Sequence, residues 1–117
     1  MRRTDPEKIN NVIKGSDLMV QDKGNGVTAI YDRDYNFKGI RGKDGSISTA
    51  NLLSKEDREK YANFDKNKSF GVIDTKTGKF VNVGLDKDNN INPIYIENRI
   101  GKIKNKRMLK SLKNVLS

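Results

Sequence analysis

Apolar residues recur at helical spacing in Ile9, Val12 and Ile13, behind the segment Thr4-Asp5-Pro6-Glu7. In that segment Thr4 and Glu7 have capping-box separation and Pro6 suits a first turn, so a helix of about ten residues is predicted, stopped by Gly15. The period then shortens to that of strands. Leu18-Met19-Val20 and Val27-Thr28-Ala29-Ile30-Tyr31 flank Asp22-Lys23-Gly24-Asn25-Gly26, whose residues tolerate positive φ, and together they predict a β-hairpin. A turn over 32–36, a third strand over Phe37 to Ile40, a turn at Lys43-Asp44-Gly45 and a short edge strand over Ser46 to Thr49 follow.

Ser54 is placed to cap a second helix, with Asp57 three residues on and Tyr61 and Phe64 as its apolar face. Phe70-Gly71-Val72-Ile73 and Phe80-Val81-Asn82-Val83 enclose Asp74-Thr75-Lys76-Thr77-Gly78, the clearest hairpin in the chain. Both faces of its strands carry apolar residues, which predicts a place at the sheet centre. After a polar loop over 86–92, Pro93 opens a last strand, Ile94-Tyr95-Ile96. From about Lys104 the pattern is helical again, with Met108, Leu109, Leu112, Val115 and Leu116 on one face. No repeat or linker composition divides the chain. Residues 1–117 therefore read as a single α+β domain: an antiparallel sheet of about 4–6 strands with N-terminal, central and C-terminal helices.

Composition narrows the chemistry. Only 33% of the 117 residues are apolar and 33% are charged, so the core is thin but patterned. Cysteine is absent, which excludes disulfides and thiolate metal sites and leaves the redox compartment open. Histidine is absent too, removing the commonest general acid–base and metal ligand. Any metal would need carboxylates, which favour magnesium or calcium. No cofactor is called for, and no run of 18 apolar residues predicts stable membrane insertion.

Charge is distributed unevenly. The net charge is +9, and Arg99, Lys102, Lys104, Lys106, Arg107, Lys110 and Lys113 supply +7 of it within residues 99–117, without one acidic residue. Such a block attracts polyanions and speeds their encounter. Nucleic acid is the first partner this suggests, and an anionic membrane surface the second. The plainer alternative is a docking helix whose apolar stripe packs while its lysines stay solvated.

Two constellations carry possible catalysis. In a strand, Tyr95, Glu97 and Arg99 share one face while Ile94 and Ile96 take the other. Glu97 could accept the proton of a ribose 2′-hydroxyl, Arg99 stabilise a charged phosphorane, and Tyr95 stack a base or donate a proton, which makes a metal-independent RNase site. A cross-strand ion pair beside a surface tyrosine is the simpler account. The second constellation is Asp65, Asp74 and Lys76, which resembles in spacing the PD-(D/E)xK metal-dependent nucleases and would imply a Mg-dependent DNase. Its Asp74-to-Gly78 portion is equally ordinary turn chemistry. The segment 86–92 superficially looks like a calcium loop, but lacks the glycine and glutamate such a loop needs.

Small, basic, cysteine-free, lysine- and asparagine-rich, the chain resembles the C-terminal toxin domains of bacterial contact-dependent inhibition and polymorphic-toxin systems. The stretch from Phe70 to Val83 is similar to a strand–turn–strand of such domains. Many share the barnase/EndoU/colicin/RelE fold, N-terminal helices followed by an antiparallel sheet. The chain departs from much of that family in lacking histidine, in a hairpin before the second helix and in a helix after the last strand. The resemblance implies an RNase, often tRNA-directed, neutralised by an acidic immunity protein. It also implies delivery as part of a larger secreted or cell-surface protein, with action in the cytoplasm of a target cell. A non-enzymatic nucleic-acid-binding protein of the cytoplasm is the leading alternative, and the Mg-dependent DNase a third.

Overall fold

The computed structural model describes residues 5–83 and 100–116. The elements in chain order are α1 (Pro6–Gly15), β1 (Leu18–Asp22), β2 (Thr28–Asp32), β3 (Phe37–Arg41), β4 (Ile47–Thr49), a 3₁₀ turn (Ala50–Leu52), α2 (Lys55–Tyr61), β5 (Phe70–Ile73), β6 (Lys79–Val83), β7 (Gly101–Lys102) and α3 (Lys106–Val115). The fold is α+β. Seven described strands form one antiparallel sheet in the order β4-β3-β2-β1-β5-β6-β7. The sheet exceeds the expected strand number because β7 is a two-residue strand, paired to Lys79 and Phe80, inside the basic stretch. The central strand is β1; the β5–β6 hairpin lies beside it rather than at the centre.

Local chemistry explains most element ends. The helix cap at the N-terminus is Asp5, not Thr4: the Asp5 carboxylate accepts the Glu7 N–H at 3.0 Å. Pro6 then stands at the first helical position, where its missing N–H costs nothing. Ser54 caps α2 as expected, accepting the Asp57 N–H at 3.1 Å. The β1–β2 turn holds Gly24, Asn25 and Gly26 consecutively at φ 85°, 56° and 78°, a run only glycine and asparagine enter cheaply.

Alternation along the strands divides the core between the two sheet faces. On one face α1 packs through Ile9 and Val12 against Met19, Ala29, Tyr31, Val72, Val81 and Val83. On the other, α3 packs through Leu112 and Val115 against Leu18, Ile30 and Ile73. The central helix departs from expectation. α2 buries none of its residues, and Phe64, expected on its face, lies beyond its end. Phe64 fills the α1 face instead, edge-on to Tyr31 and Phe70 at 5.2 and 5.0 Å between ring centres.

Polar side chains pin the chain across β1. Gln21 is only 2% exposed; its Nε2 donates to the Asp65 carbonyl at 2.7 Å and its Oε1 accepts the Asp65 N–H at 2.9 Å. Tyr31, fully buried, donates its hydroxyl to the Tyr61 carbonyl at 2.7 Å. Burial pushes its phenol up to about 12. At the other end of β1, Asp17 accepts the Thr75 N–H at 3.0 Å and the Thr75 hydroxyl. The β1–β5 seam, only three residue pairs long, is therefore clasped at both ends.

Candidate nucleic-acid interface

The basic stretch is built onto the sheet in two steps. First, β7 adds Gly101 and Lys102 to the β6 edge, and the Ile103 N–H donates to the Gly78 carbonyl at 2.7 Å. Second, Asn105 starts α3, its side-chain oxygen accepting the N–H groups of Arg107 and Met108 at 3.0 and 3.2 Å. A ten-residue helix is marginal alone in water, so α3 depends on docking its apolar stripe. Met108, Leu112, Val115 and Leu116 meet the sheet. Leu109, expected on the same stripe, is half-buried at its margin.

Helical geometry then distributes the cations. Lys106, Lys110 and Lys113 recur at i, i+4 and i+7 on the side opposite Leu112, and all three are exposed. Arg107 and Ser111 occupy the flank toward β4 and line a hollow of about 380 Å³ with Arg41, Asp44 and Ile47. Like charges at this spacing destabilise a helix by roughly 0.2–0.5 kcal/mol per pair. Lys106 and Arg107 also stand in the first turn, against the helix dipole, with no acidic residue there. Stability does not account for this stripe.

Between α3 and the sheet lies a second, contiguous cleft of about 450 Å³. Val20, Ile30, Ile73 and Phe80 form its floor, Met108 and Leu112 the helix wall, and Arg41, Lys102 and Lys104 its cationic margin. Asn105 completes the end, and among the described residues no carboxylate lines it. The ring of Phe80 lies directly on Gly101, where a Cβ would stand 2.2 Å from Cζ. The two hollows share Arg41, Asn105 and Met108. In the smaller hollow, hydrogen bonds from the Ser46 hydroxyl and N–H hold the Asp44 carboxyl below its usual range.

The residues read from sequence thus separate into groups. Lys102 and Lys104 meet at the cleft, Arg107 at the adjoining hollow, and Lys106, Lys110 and Lys113 point away on the outer side of α3. Tyr95, Glu97 and Arg99, with the strand expected over 94–96 and the loop over 86–92, lie outside the described residues. Asp65, Asp74 and Lys76 are not brought together. Asp65 is held by Gln21 near the end of β1, whereas Asp74 follows Ile73, whose partner is Leu18 at the strand's start. Those two places are about 10 Å apart along the strand. Asp74 instead serves its own turn, accepting the Lys76 N–H at 2.9 Å. The two carboxylates of the Mg-dependent DNase reading therefore attach near opposite ends of β1. Among the described residues no group of three or more acidic, histidine or cysteine side chains gathers to hold a metal, and no helix is long and apolar enough to cross a membrane.

Sequence reasoning missed Arg41. Alternation places it with Ile30 and Thr28, since Arg41 pairs Thr28 and Gly39 pairs Ile30. The pattern could not say that a basic helix would cover that same face. No protein-family model matches the chain, and no curated protein or solved structure matches it either.

Proposed function

We propose that this domain binds RNA across its α3 side and cleaves it without a metal, as a toxin of a bacterial interference system. One observation carries the binding half: Arg41, Lys102, Lys104 and Arg107 surround contiguous hollows, and the larger of these has no carboxylate among the described residues of its lining. Cations arranged around a concavity focus potential onto it and attract a polyanion faster than scattered charges do. The outer stripe Lys106, Lys110 and Lys113 extends the same field. Neither helix capping nor packing calls for these charges, which supports a ligand as their reason.

The catalytic half rests on sequence. Glu97 would take the 2′-hydroxyl proton, Arg99 would meet the charge on phosphorus, and Tyr95 would hold a base. tRNA is the substrate favoured by the toxin resemblance, and an acidic immunity protein its expected partner. Delivery would be as part of a larger secreted or surface protein, with action in the target cell's cytoplasm.

The test is incubation with total tRNA and with plasmid DNA, each in EDTA or magnesium. Cleavage of tRNA in EDTA, lost in Glu97→Gln and in Arg99→Lys, is the expected result. Binding without cleavage moves the reading to a non-enzymatic nucleic-acid-binding protein. Failure to bind RNA removes it.

A further inference from the structure

We infer that the 450 Å³ cleft beneath α3 seats one unstacked nucleotide of a single-stranded RNA, its base on the apolar floor and its phosphate at the cationic margin. This rests on the RNA reading above and adds two things that reading leaves open: the strandedness of the ligand and the place where a base enters.

Three observations converge. The cleft's volume lies in the range of roughly 300–1,000 Å³ typical of small-molecule pockets, suited to one nucleotide. Its floor and its margin differ in kind. Val20, Phe80 and Met108 offer apolar and aromatic surface, and Arg41, Lys102 and Lys104 stand around them with no carboxylate among the described residues of the lining. A nucleotide is the amphipathic anion that matches both: a π-face for the floor and a phosphate for the margin. Thr28 and Asn105 add hydroxyl and amide groups to the wall, the groups that read base edges. Third, Gly101 fixes the Phe80 ring against the β7 backbone, so a base stacking there meets a side chain already in place.

Duplex RNA cannot use such a seat, because its bases are stacked inside and its deep groove is too narrow to admit side chains. It would engage only the outer lysines. An acyl chain of an anionic lipid is the rival occupant, and the test separates it.

Fluorescence anisotropy is read on a labelled single-stranded 12-mer and on its duplex, both 2′-O-methylated so that neither is cut through the 2′-hydroxyl. The wild-type protein should prefer the single strand by about tenfold or more, the worth of a stacked base. Thr28→Trp, which fills the cleft from its wall, should erase that preference and leave duplex affinity within about twofold. Val20→Phe, filling it from the floor, should do the same, and either variant suffices if its thermal transition is retained. Arg41→Gln, at an exposed position, should cost the single strand several-fold more than the duplex. Equal affinity for both forms overturns the seat, as does a single-strand preference that survives a folded plugged variant; the RNA reading stands in either case. Binding to neither form overturns both. Binding only to vesicles of anionic phospholipid, lost on plugging, overturns both and assigns the cleft to an acyl chain.

Discussion

The two faces of the sheet are packed by helices of equal length and made for different work. The α1 face is aromatic, and a hollow of about 320 Å³ on it, beside Ile13, Met19 and Phe70, carries a single cation, Arg33, among its described residues. Tyr31, Phe64, Phe37 and Phe70 meet one another at ring-centre distances between 5.0 and 5.8 Å, and the polar atoms among them have partners. Lys23, whose ammonium burial lowers its pKa against the opposing pull of Asp65, donates there to the Asn63 carbonyl at 2.6 Å. The α3 face is aliphatic, and its helix leaves a cation-lined cleft beside it. On the proposed reading, stability and ligand recognition fall to opposite sides of one sheet. Each side can be disturbed with limited effect on the other.

The largest expected effect is on the α1 face. Phe64→Ala removes a ring packed against three others and should cost about 3–5 kcal/mol in urea unfolding. At a temperature where the variant remains folded, its RNA affinity should equal the wild type's. A drop in affinity there would show the faces to be coupled.

Tyr31 gives a pH signature on the same face. Its folded pKa, about 12, lies above the ordinary value of 10.0, so the stability its protonated phenol contributes is whole below pH 10 and falls as pH rises toward 12. Two units correspond to about 2–3 kcal/mol at the alkaline limit. Tyr31→Phe should be about 1 kcal/mol less stable near neutrality, having lost the bond to the Tyr61 carbonyl. Denaturation midpoints of the two proteins should converge above pH 10 and then cross. Parallel midpoints would mean that the phenol ionises freely.

On the α3 face, replacing Lys106, Lys110 and Lys113 together by Gln should weaken RNA binding by about tenfold or more at low salt. It should also lower the slope of log affinity against log salt by about 2–3. Stability should hold or rise slightly, since three like charges on one helix side are removed. The smallest effect belongs to α2, which buries none of its residues and meets the α1 face only at its end, through Tyr61. Ser54→Ala should cost about 1 kcal/mol at most, seen as faster amide exchange confined to that helix.

What was legible in the sequence was what local chemistry dictates. The β5–β6 hairpin, the β1–β2 turn, the Ser54 cap and the apolar stripe of α3 all follow from residues within a few positions of one another. What failed to show depended on distant partners. Gly101-Lys102 has no strand pattern of its own and becomes β7 only because the β6 edge is beside it. Phe64 continues the helical spacing of Tyr61, yet the helix ends first and the ring turns into the core. Among the site residues, the exposure of the lysines was readable from the α3 stripe, whereas Arg41 joins them only through the order of the strands. Asp65 and Asp74 looked paired because sequence distance hides that β1 runs between them.

The seam between β1 and β5 carries a consequence for synthesis. Strands β1 to β4 are neighbours in the chain and can pair as they leave the ribosome, but the other edge of β1 waits for residues about fifty positions later. Until then the central strand is, in effect, an outer one, with Leu18, Met19 and Val20 offering unpaired backbone to any extended chain nearby. Asp17 and Gln21, sitting on either side of that opening, bond the residues that flank the arriving strand, Asp65 before β5 and Thr75 after it. They favour the chain's own strand over a stranger's.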